Sequence, residues 1–240
     1  MTTLFISDLH LEADRPDIGK QFLQFLQTEA SEADDLYILG DLFEAWVGDD
    51  DPNTHYFSIK RALRKLTDGG IPVYFMHGNR DFMVGKGFAN ETGVRILGDP
   101  YKVTMYGQQT LLSHGDMLCI DDVQYQRVRK MVRDPDWQAS MLAKPLKERL
   151  RIAREARRQS LEQTINKSLE IMDVNQGEVE RVIREYNVDV LLHGHTHRPA
   201  VHTVDLGNRK AKRIVLGDWY EQGSVVRWDS RGPKLEALPR

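Results

Sequence analysis

Five short polar motifs contain the residues of this chain best suited to chemistry, and each follows an apolar run. They are Asp8-Leu9-His10, Gly40-Asp41, Gly78-Asn79-Arg80-Asp81, His114-Gly115-Asp116 and Gly194-His195-Thr196-His197. Carboxylate, imidazole and amide groups together suit borderline divalent metals. Seven of these residues are the candidate ligands: Asp8, His10, Asp41, Asn79, His114, His195 and His197. Seven ligands exceed what one ion needs, and two cations about 3.5–4 Å apart can activate water and clamp phosphoryl oxygens. The motifs therefore predict a two-metal site for phosphoryl chemistry.

The apolar runs before the motifs have the character of β-strands. They are Leu4–Ser7, Leu36–Leu39, Val73–Met76, Thr110–Ser113 and Val188–Leu192. Ligands in open α/β sheets gather beyond the carboxyl ends of the strands, so motifs far apart in the chain can converge there. Helix-like segments alternate with the runs, at Gly19–Ala33, Tyr56–Thr67, Gly85–Glu91 and Gly177–Tyr186. This alternation predicts a mixed or parallel sheet with helices on its faces.

Each motif taken singly also has an ordinary structural explanation. An Asp-x-His triplet occurs by chance, and Gly-Asp and Gly-Asn are frequent turn sequences. Gly194-His195-Thr196-His197 is the most specific of the five, yet alone it could be a structural zinc clasp. Their occurrence in order, each at a strand end, favours one shared site.

The composition is that of a globular protein with one substantial core. The 240 residues are 40% apolar and 29% charged, which excludes wholesale disorder. The single cysteine, Cys119, fits a reducing compartment. No signal peptide is recognisable and no run approaches the roughly 20 apolar residues of a membrane span. We therefore expect a cytoplasmic protein whose membrane contact, if it has any, is peripheral.

One segment interrupts the alternation of strands and helices. Residues 123–167 contain twelve Lys and Arg against five Asp and Glu, and their composition favours helix. The prediction is a core of residues 1–122 and 174–240, with a helical insert at 123–173. The segment has a net charge of +7 against −3 for the chain, which indicates an anionic partner such as a phosphorylated substrate, an acidic membrane or nucleic acid.

The five motifs in this order resemble those of the calcineurin-like metallophosphoesterases. The resemblance covers nearly the whole chain and implies an α/β fold, a double β-sheet sandwich flanked by helices, with the insert as a lid. By the family pattern, the first metal would be held by Asp8, His10, Asp41 and His197. The second would be held by Asp41, Asn79, His114 and His195.

Arg80 departs from the usual family pattern, in which a histidine follows the asparagine of the third motif. Arginine cannot act as a general acid at neutral pH, but it binds phosphate in a bidentate manner. An alkoxide leaving group needs a proton, whereas a phosphate leaving group, with a second pKa of about 6, does not. Arg80 therefore favours a phosphoanhydride substrate.

Arg80 and the segments 40–46, 78–82 and 167–175 narrow the resemblance to one branch of the family. That branch hydrolyses the pyrophosphate bond of UDP-2,3-diacylglucosamine in lipid A biosynthesis, with water attacking the α-phosphorus. The resemblance implies two Mn²⁺ ions per chain. The implied catalytic residues are Asp41, Asn79, Arg80 and His195. The implied substrate contacts are Asn79, Arg80, Asp122, Ser160, Thr164, Lys167 and His195.

The expected partners follow from this substrate. The insert carries apolar residues among its basic ones, and basic amphipathic helices of this kind bind anionic membrane surfaces. We expect a monomer bound peripherally to the cytoplasmic face of the inner membrane, with no nucleic acid as partner. Packing of the same apolar residues in an ordinary core is the alternative.

Two other functions stay open at this point. A nuclease or general phosphodiesterase would use the same chemistry, with the basic insert along a nucleic acid backbone, although the aromatic residues that stack bases are not evident. A non-catalytic binding module on the same scaffold would have lost ligands, and all seven are present here.

Overall fold

The computed structural model describes residues 1–165, 171 and 173–240. Its strands are β1 (Thr3–Ile6), β2 (Asp35–Ile38), β3 (Val73–Met76), β4 (Arg95–Leu97), β5 (Tyr101–Met105), β6 (Gln108–Ser113), β7 (Val190–His193), β8 (Ala200–Asp205), β9 (Lys210–Val215), β10 (Gly223–Asp229) and β11 (Gly232–Leu238). Its helices are α1 (Pro16–Thr28), α2 (Phe57–Asp68), α3 (Lys86–Thr92), α4 (Val123–Val132), α5 (Pro135–Leu142), α6 (Leu146–Ile165) and α7 (Gln176–Tyr186).

The strands form two mixed sheets. The first has the order β11-β10-β1-β2-β3-β4, in which β1 to β4 are parallel and β10 runs antiparallel to β1. The second has the order β5-β6-β7-β9-β8, with β6, β7 and β9 parallel. The strands that precede the five motifs are β1, β2 and β3 in one sheet and β6 and β7 in the other.

Three apolar cores hold the layers together. The first packs α1, α2 and α3 on the six-stranded sheet, as in the contacts of Phe22, Leu63 and Phe88. The second lies between the two sheets and includes Phe5 and Leu192. The third packs α7 on the outer face of the five-stranded sheet. Their arrangement is a β-sandwich flanked by helices, which confirms the predicted α/β class and architecture.

The sequence pattern located all five motif-bearing strands to within two residues. Runs around Val103–Tyr106, Arg213–Leu216 and Ser224–Trp228 also predict strands, at the places of β5, β9 and β10. The pattern missed the other three strands. β4 has only three residues. β8 and β11 lie at sheet edges; β8 is largely exposed, and β11 is mostly half-buried and contains Pro233. Short or exposed edge strands lack the apolar run that signals a buried one.

Residues 123–165 form the three helices α4, α5 and α6 between β6 and β7. Asp122 and Asp134 accept hydrogen bonds from backbone amides at the starts of α4 and α5, and Pro135 occupies the first turn of α5. In the described part of the chain, none of the helices has the length and apolarity that crossing a membrane requires.

Candidate active site

Asp8, His10 and His197 form the first group of donor atoms. One donor atom from each residue lies within 4.8 Å of the others. The Nε2 atoms of His10 and His197 are 3.3 Å apart, and Nε2 of His197 is 3.4 Å from Oδ1 of Asp8. This Oδ1 is buried and has no hydrogen-bond donor among the described residues. A buried carboxylate oxygen without a donor is costly, and a cation among these atoms would satisfy it.

The second group contains Asp41, Asn79, His114 and His195. Oδ1 of Asn79 is 2.9 Å from Nε2 of His114 and 2.9 Å from Nδ1 of His195. The oxygens of Asp41 face both groups, because Oδ2 is 3.8 Å from Nε2 of His10 and Oδ1 is 3.8 Å from Nε2 of His114. Asp41 thus lies between the two donor groups, and its role as a bridging ligand stays a prediction. All seven predicted ligands converge, and Asp8 is also near Asp41 and His114.

The backbone at most of these residues is in the left-handed region. Asp8, His10, Asp41, His195 and His197 have φ angles between 51° and 68°. Such conformations are uncommon for residues other than glycine and cost of order 1–3 kcal/mol each, so they persist only where surrounding structure holds them. They turn each side chain sharply out of its strand and into the common centre.

Two glycines allow the strand ends to approach one another. A Cβ atom at Gly78 would collide with the carboxylate of Asp41, and one at Gly40 would lie 2.6 Å from Nδ1 of His114. Larger residues at these positions would therefore push the second and third motifs apart.

Asp81 fixes the loops that follow β2 and β3. Its sequence motif did not indicate this role. Its carboxylate is fully buried and accepts hydrogen bonds from the amides of Gly78 (2.8 Å), Leu42 (2.7 Å) and Asp41 (3.3 Å). Burial and the neighbouring charge of Asp41 raise the pKa of Asp81. We conclude that Asp81 shapes the backbone around Asp41.

Oxygen atoms also orient the imidazoles. Nδ1 of His10 is 2.8 Å from Oε2 of Glu44, and Nδ1 of His197 is 3.2 Å from Oδ2 of Asp218. Nδ1 of His114 donates to the carbonyl of Leu39 over 2.9 Å. Metal-binding histidines almost always have such a partner on their second nitrogen. Sequence reasoning missed Glu44 and Asp218, although Gly217-Asp218 repeats the Gly-Asp pattern after β9.

The protonation states of two histidines differ sharply. Burial opposes the charged form of His197, but Asp218 and Asp8 outweigh it and raise its pKa to about 10. Burial and the nearby His114 lower the pKa of His195 to about 3. Without a metal, His197 therefore carries a proton at neutral pH. His195 is neutral, so a ring nitrogen is free to donate electrons to a metal ion.

A family model described as calcineurin-like phosphoesterase matches residues 1–199. The chain belongs to the calcineurin-like phosphoesterase family. It is 51% identical over 247 residues to the UDP-2,3-diacylglucosamine hydrolase of Stenotrophomonas maltophilia, with 100% of each protein covered. It is 53% identical over 243 residues to the protein of the same name from Xanthomonas oryzae, with 98% of each covered.

A solved structure, described as a novel archaeal phosphodiesterase, has the same fold. It matches with a TM-score of 0.51 and 14% identity, over 99% of this chain and 100% of that chain. Family membership and the two donor groups together indicate that the site uses divalent metals.

Arg80 of this calcineurin-like phosphoesterase lies beside the two donor groups. Its amide donates to Oδ1 of Asp41 over 2.8 Å, and its charge acts on Glu44. The Nε atom is buried and has no acceptor among the described residues. The backbone of Arg80 is thus fixed beside Asp41, and its guanidinium can donate hydrogen bonds to an anionic group.

A buried ion-pair network beside His114 joins the insert to the loops that carry the second donor group. Asp99 and Asp116 face Arg129 and Arg133 of α4, with the closest contact, from Nε of Arg129 to Oδ1 of Asp116, at 2.9 Å. Asp99 also accepts from the amide of His114 over 3.2 Å. Within α4, the ring of Tyr125 lies with its centroid 5.8 Å from that of His195. The network fixes the start of the insert against the second donor group.

The structure describes only some of the residues that the sequence predicts to contact the substrate head group. Asp122 caps α4 by accepting from the amide of Tyr125 over 3.0 Å. Ser160 and Thr164 lie in α6. Lys167 lies outside the described residues. None of these positions is tested by the structure, so their roles as substrate contacts stay predictions.

Much of the basic charge of the insert has acidic partners in the core. Arg129 and Arg133 face the buried acids, Arg149 pairs with Asp50, and Arg157 lies 2.6 Å from Oε1 of Glu44. The net charge of +7 counted from the sequence thus overstates the basic surface. The exposed basic residues without an ion-pair partner in the described ranges are Arg127, Lys130, Lys147, Arg151 and Arg154.

Proposed function

We propose that this protein hydrolyses the pyrophosphate bond of UDP-2,3-diacylglucosamine, with water attacking the α-phosphorus. The products would be UMP and 2,3-diacylglucosamine 1-phosphate, an intermediate of lipid A biosynthesis. The observation that carries the proposal is Arg80 fixed beside seven convergent metal donors. Full-length relatives named for hydrolysis of this substrate support it.

We propose two Mn²⁺ ions as the cofactors, held by the seven residues in the division given above. The mixed carboxylate, imidazole and amide donors suit this ion, as they do iron and zinc. When bound, two such cations stabilise negative charge on phosphoryl oxygens and lower the pKa of a water molecule. Asp41 and Asn79 would hold the ions, and neutral His195 would contribute a nitrogen without first losing a proton.

Arg80 would bind the phosphate groups of the substrate. A guanidinium stabilises the charge that develops on phosphoryl oxygens but donates no proton at neutral pH. Cleavage of an anhydride needs no such proton, because the leaving phosphate is a weak base. An arginine at this position therefore fits a pyrophosphate bond better than a simple phosphomonoester.

The insert would receive the acyl chains and touch the membrane. Val123, Val128, Met131, Leu142 and Leu150 are exposed apolar residues of this segment, with exposed fractions of 36% to 58%. Exposed apolar groups beside basic residues favour peripheral binding to an anionic lipid surface. We propose a monomer that acts at the cytoplasmic face of the inner membrane, with Asp122, Ser160, Thr164 and Lys167 on the head group.

Release of UMP from UDP-2,3-diacylglucosamine, measured with and without Mn²⁺, tests the proposal. UMP should form only with the metal and should disappear in Asp41→Ala. Intact substrate in a folded, metal-loaded protein would refute the assignment. Hydrolysis of DNA or bis(p-nitrophenyl) phosphate instead would favour the nuclease or general phosphodiesterase.

A further inference from the structure

Glu44 lies between a predicted metal ligand and the insert. Oε2 is 2.8 Å from Nδ1 of His10, and Oε1 is 2.6 Å from Nε of Arg157 in α6. The Glu44 side chain is 13% exposed and that of His10 is 3% exposed. One carboxylate thus contacts the catalytic core with one oxygen and the insert with the other.

Arg157 differs from its neighbour on the same helix. Arg158 contacts Glu155 and Glu162 within α6, and its side chain is 59% exposed. Arg157 instead crosses to the core and is 33% exposed. Its ion pair with Glu44 therefore joins two parts of the molecule that are 113 positions apart in the chain.

We propose that Glu44 is a positioning residue that couples the packing of α6 on the core to metal binding at His10. The inference rests on the proposed two-metal function. A carboxylate that accepts from Nδ1 directs Nε2 of the imidazole at the metal. Arg157 restricts the same carboxylate, so α6 and His10 stabilise each other's positions. By reciprocity, metal bound at His10 strengthens the attachment of α6 to the core.

Calorimetric titration with Mn²⁺ tests this coupling without a substrate. Arg157→Gln should weaken metal binding by about 3–10-fold, less than the roughly 10–100-fold typical of a lost direct support for a ligand. Arg158→Gln, the matched control, should bind as the wild type does. Arg157→Lys, which keeps the positive charge, should restore most of the affinity.

Glu44→Gln separates the direct support of His10 by Glu44 from the effect that Arg157 exerts through Glu44. It should weaken Mn²⁺ binding by about 10–100-fold, and adding Arg157→Gln should weaken it no further, because the two residues act through one contact. In hydrogen–deuterium exchange, Mn²⁺ should slow exchange of α6 in the wild type but not in Glu44→Gln.

The outcomes distinguish failure of the coupling from failure of the proposed two-metal function. Equal Mn²⁺ affinity of Arg157→Gln and Arg158→Gln, or losses that add in the double variant, would overturn the coupling and leave the two-metal site standing. A wild-type protein that binds no divalent metal would overturn both.

Discussion

Metal binding should be opposed by a proton on His197, and the structure gives the size of this effect. A histidine must be neutral to bind a metal ion. Asp218 and Asp8 hold the proton on His197 and raise its pKa to about 10 despite burial. Since the charged form is favoured below this pKa, apparent metal affinity should rise with pH up to about 10.

The expected magnitude follows from the distance between the pKa and the working pH. At a pH of about 7.5, His197 is about 2.5 pKa units below its midpoint, and each unit corresponds to about 1.36 kcal/mol. Removing the proton therefore costs about 3 kcal/mol, which weakens binding by about two orders of magnitude relative to the neutral imidazole.

Calorimetry in two buffers of different ionisation enthalpy measures the released protons directly. Between pH of about 6.5 and 8.5, the first Mn²⁺ should release about one proton, and the affinity should rise about tenfold per pH unit. Despite its burial, Asp41 and Asp116 raise the pKa of His114, which can add a further fraction.

Asp218→Asn should lower the pKa of His197, so fewer protons are released and the affinity depends less on pH. Asp229→Asn, which removes a carboxylate paired with the exposed Arg231, is the matched control and should change neither quantity. A pH-independent affinity with no proton release in the wild type would refute the reasoning.

Three further perturbations give expected outcomes. Arg80→Lys keeps the charge but loses bidentate geometry, so kcat/KM for UMP release should fall about 10–100-fold with an unchanged pH profile; an unchanged rate would contradict the proposed phosphate contact. In EDTA, the raised pKa of Asp81 contributes stability that is lost as pH rises from about 4 to 7, and the raised pKa of His197 contributes stability that is lost from about 6.5 to 10. Tm should therefore fall between pH of about 6.5 and 9, and a rising Tm over that range would refute the argument. Arg149→Met removes hydrogen bonds to Asp50 and to a core carbonyl, and urea unfolding should show a loss of about 1–3 kcal/mol; Arg151→Met, an exposed control, should show none.

The parts of the fold that the sequence predicted are those with local signals. Buried parallel strands read as short apolar runs, and β3 was located at Val73–Met76 without error. Helices with one apolar face, such as α7, were located nearly as well. The convergence of the motifs followed from a general rule about strand ends, so it needed no knowledge of the two-sheet arrangement.

The contacts that orient the candidate ligands could not be predicted from the sequence. Glu44 and Asp218 are ordinary carboxylates in the sequence, and only the folded chain places them against His10 and His197. The charge count also could not show which arginines of the insert face buried acids, because an ion pair depends on partners distant in the chain. Residue types thus identified the candidate ligands, whereas the tertiary structure identified what orients them.

The left-handed backbone at five of the seven candidate ligands affects how the protein would respond to selection for heat resistance. Glycine at Asp8, His10, Asp41, His195 or His197 would adopt the observed φ angles without the Cβ penalty. At Asp8 or Asp41, glycine would also relieve repulsion between these two carboxylates in a metal-free chain. A screen that scores survival on heating alone would therefore enrich chains that have lost a ligand, and laboratory evolution of this scaffold needs turnover in every round.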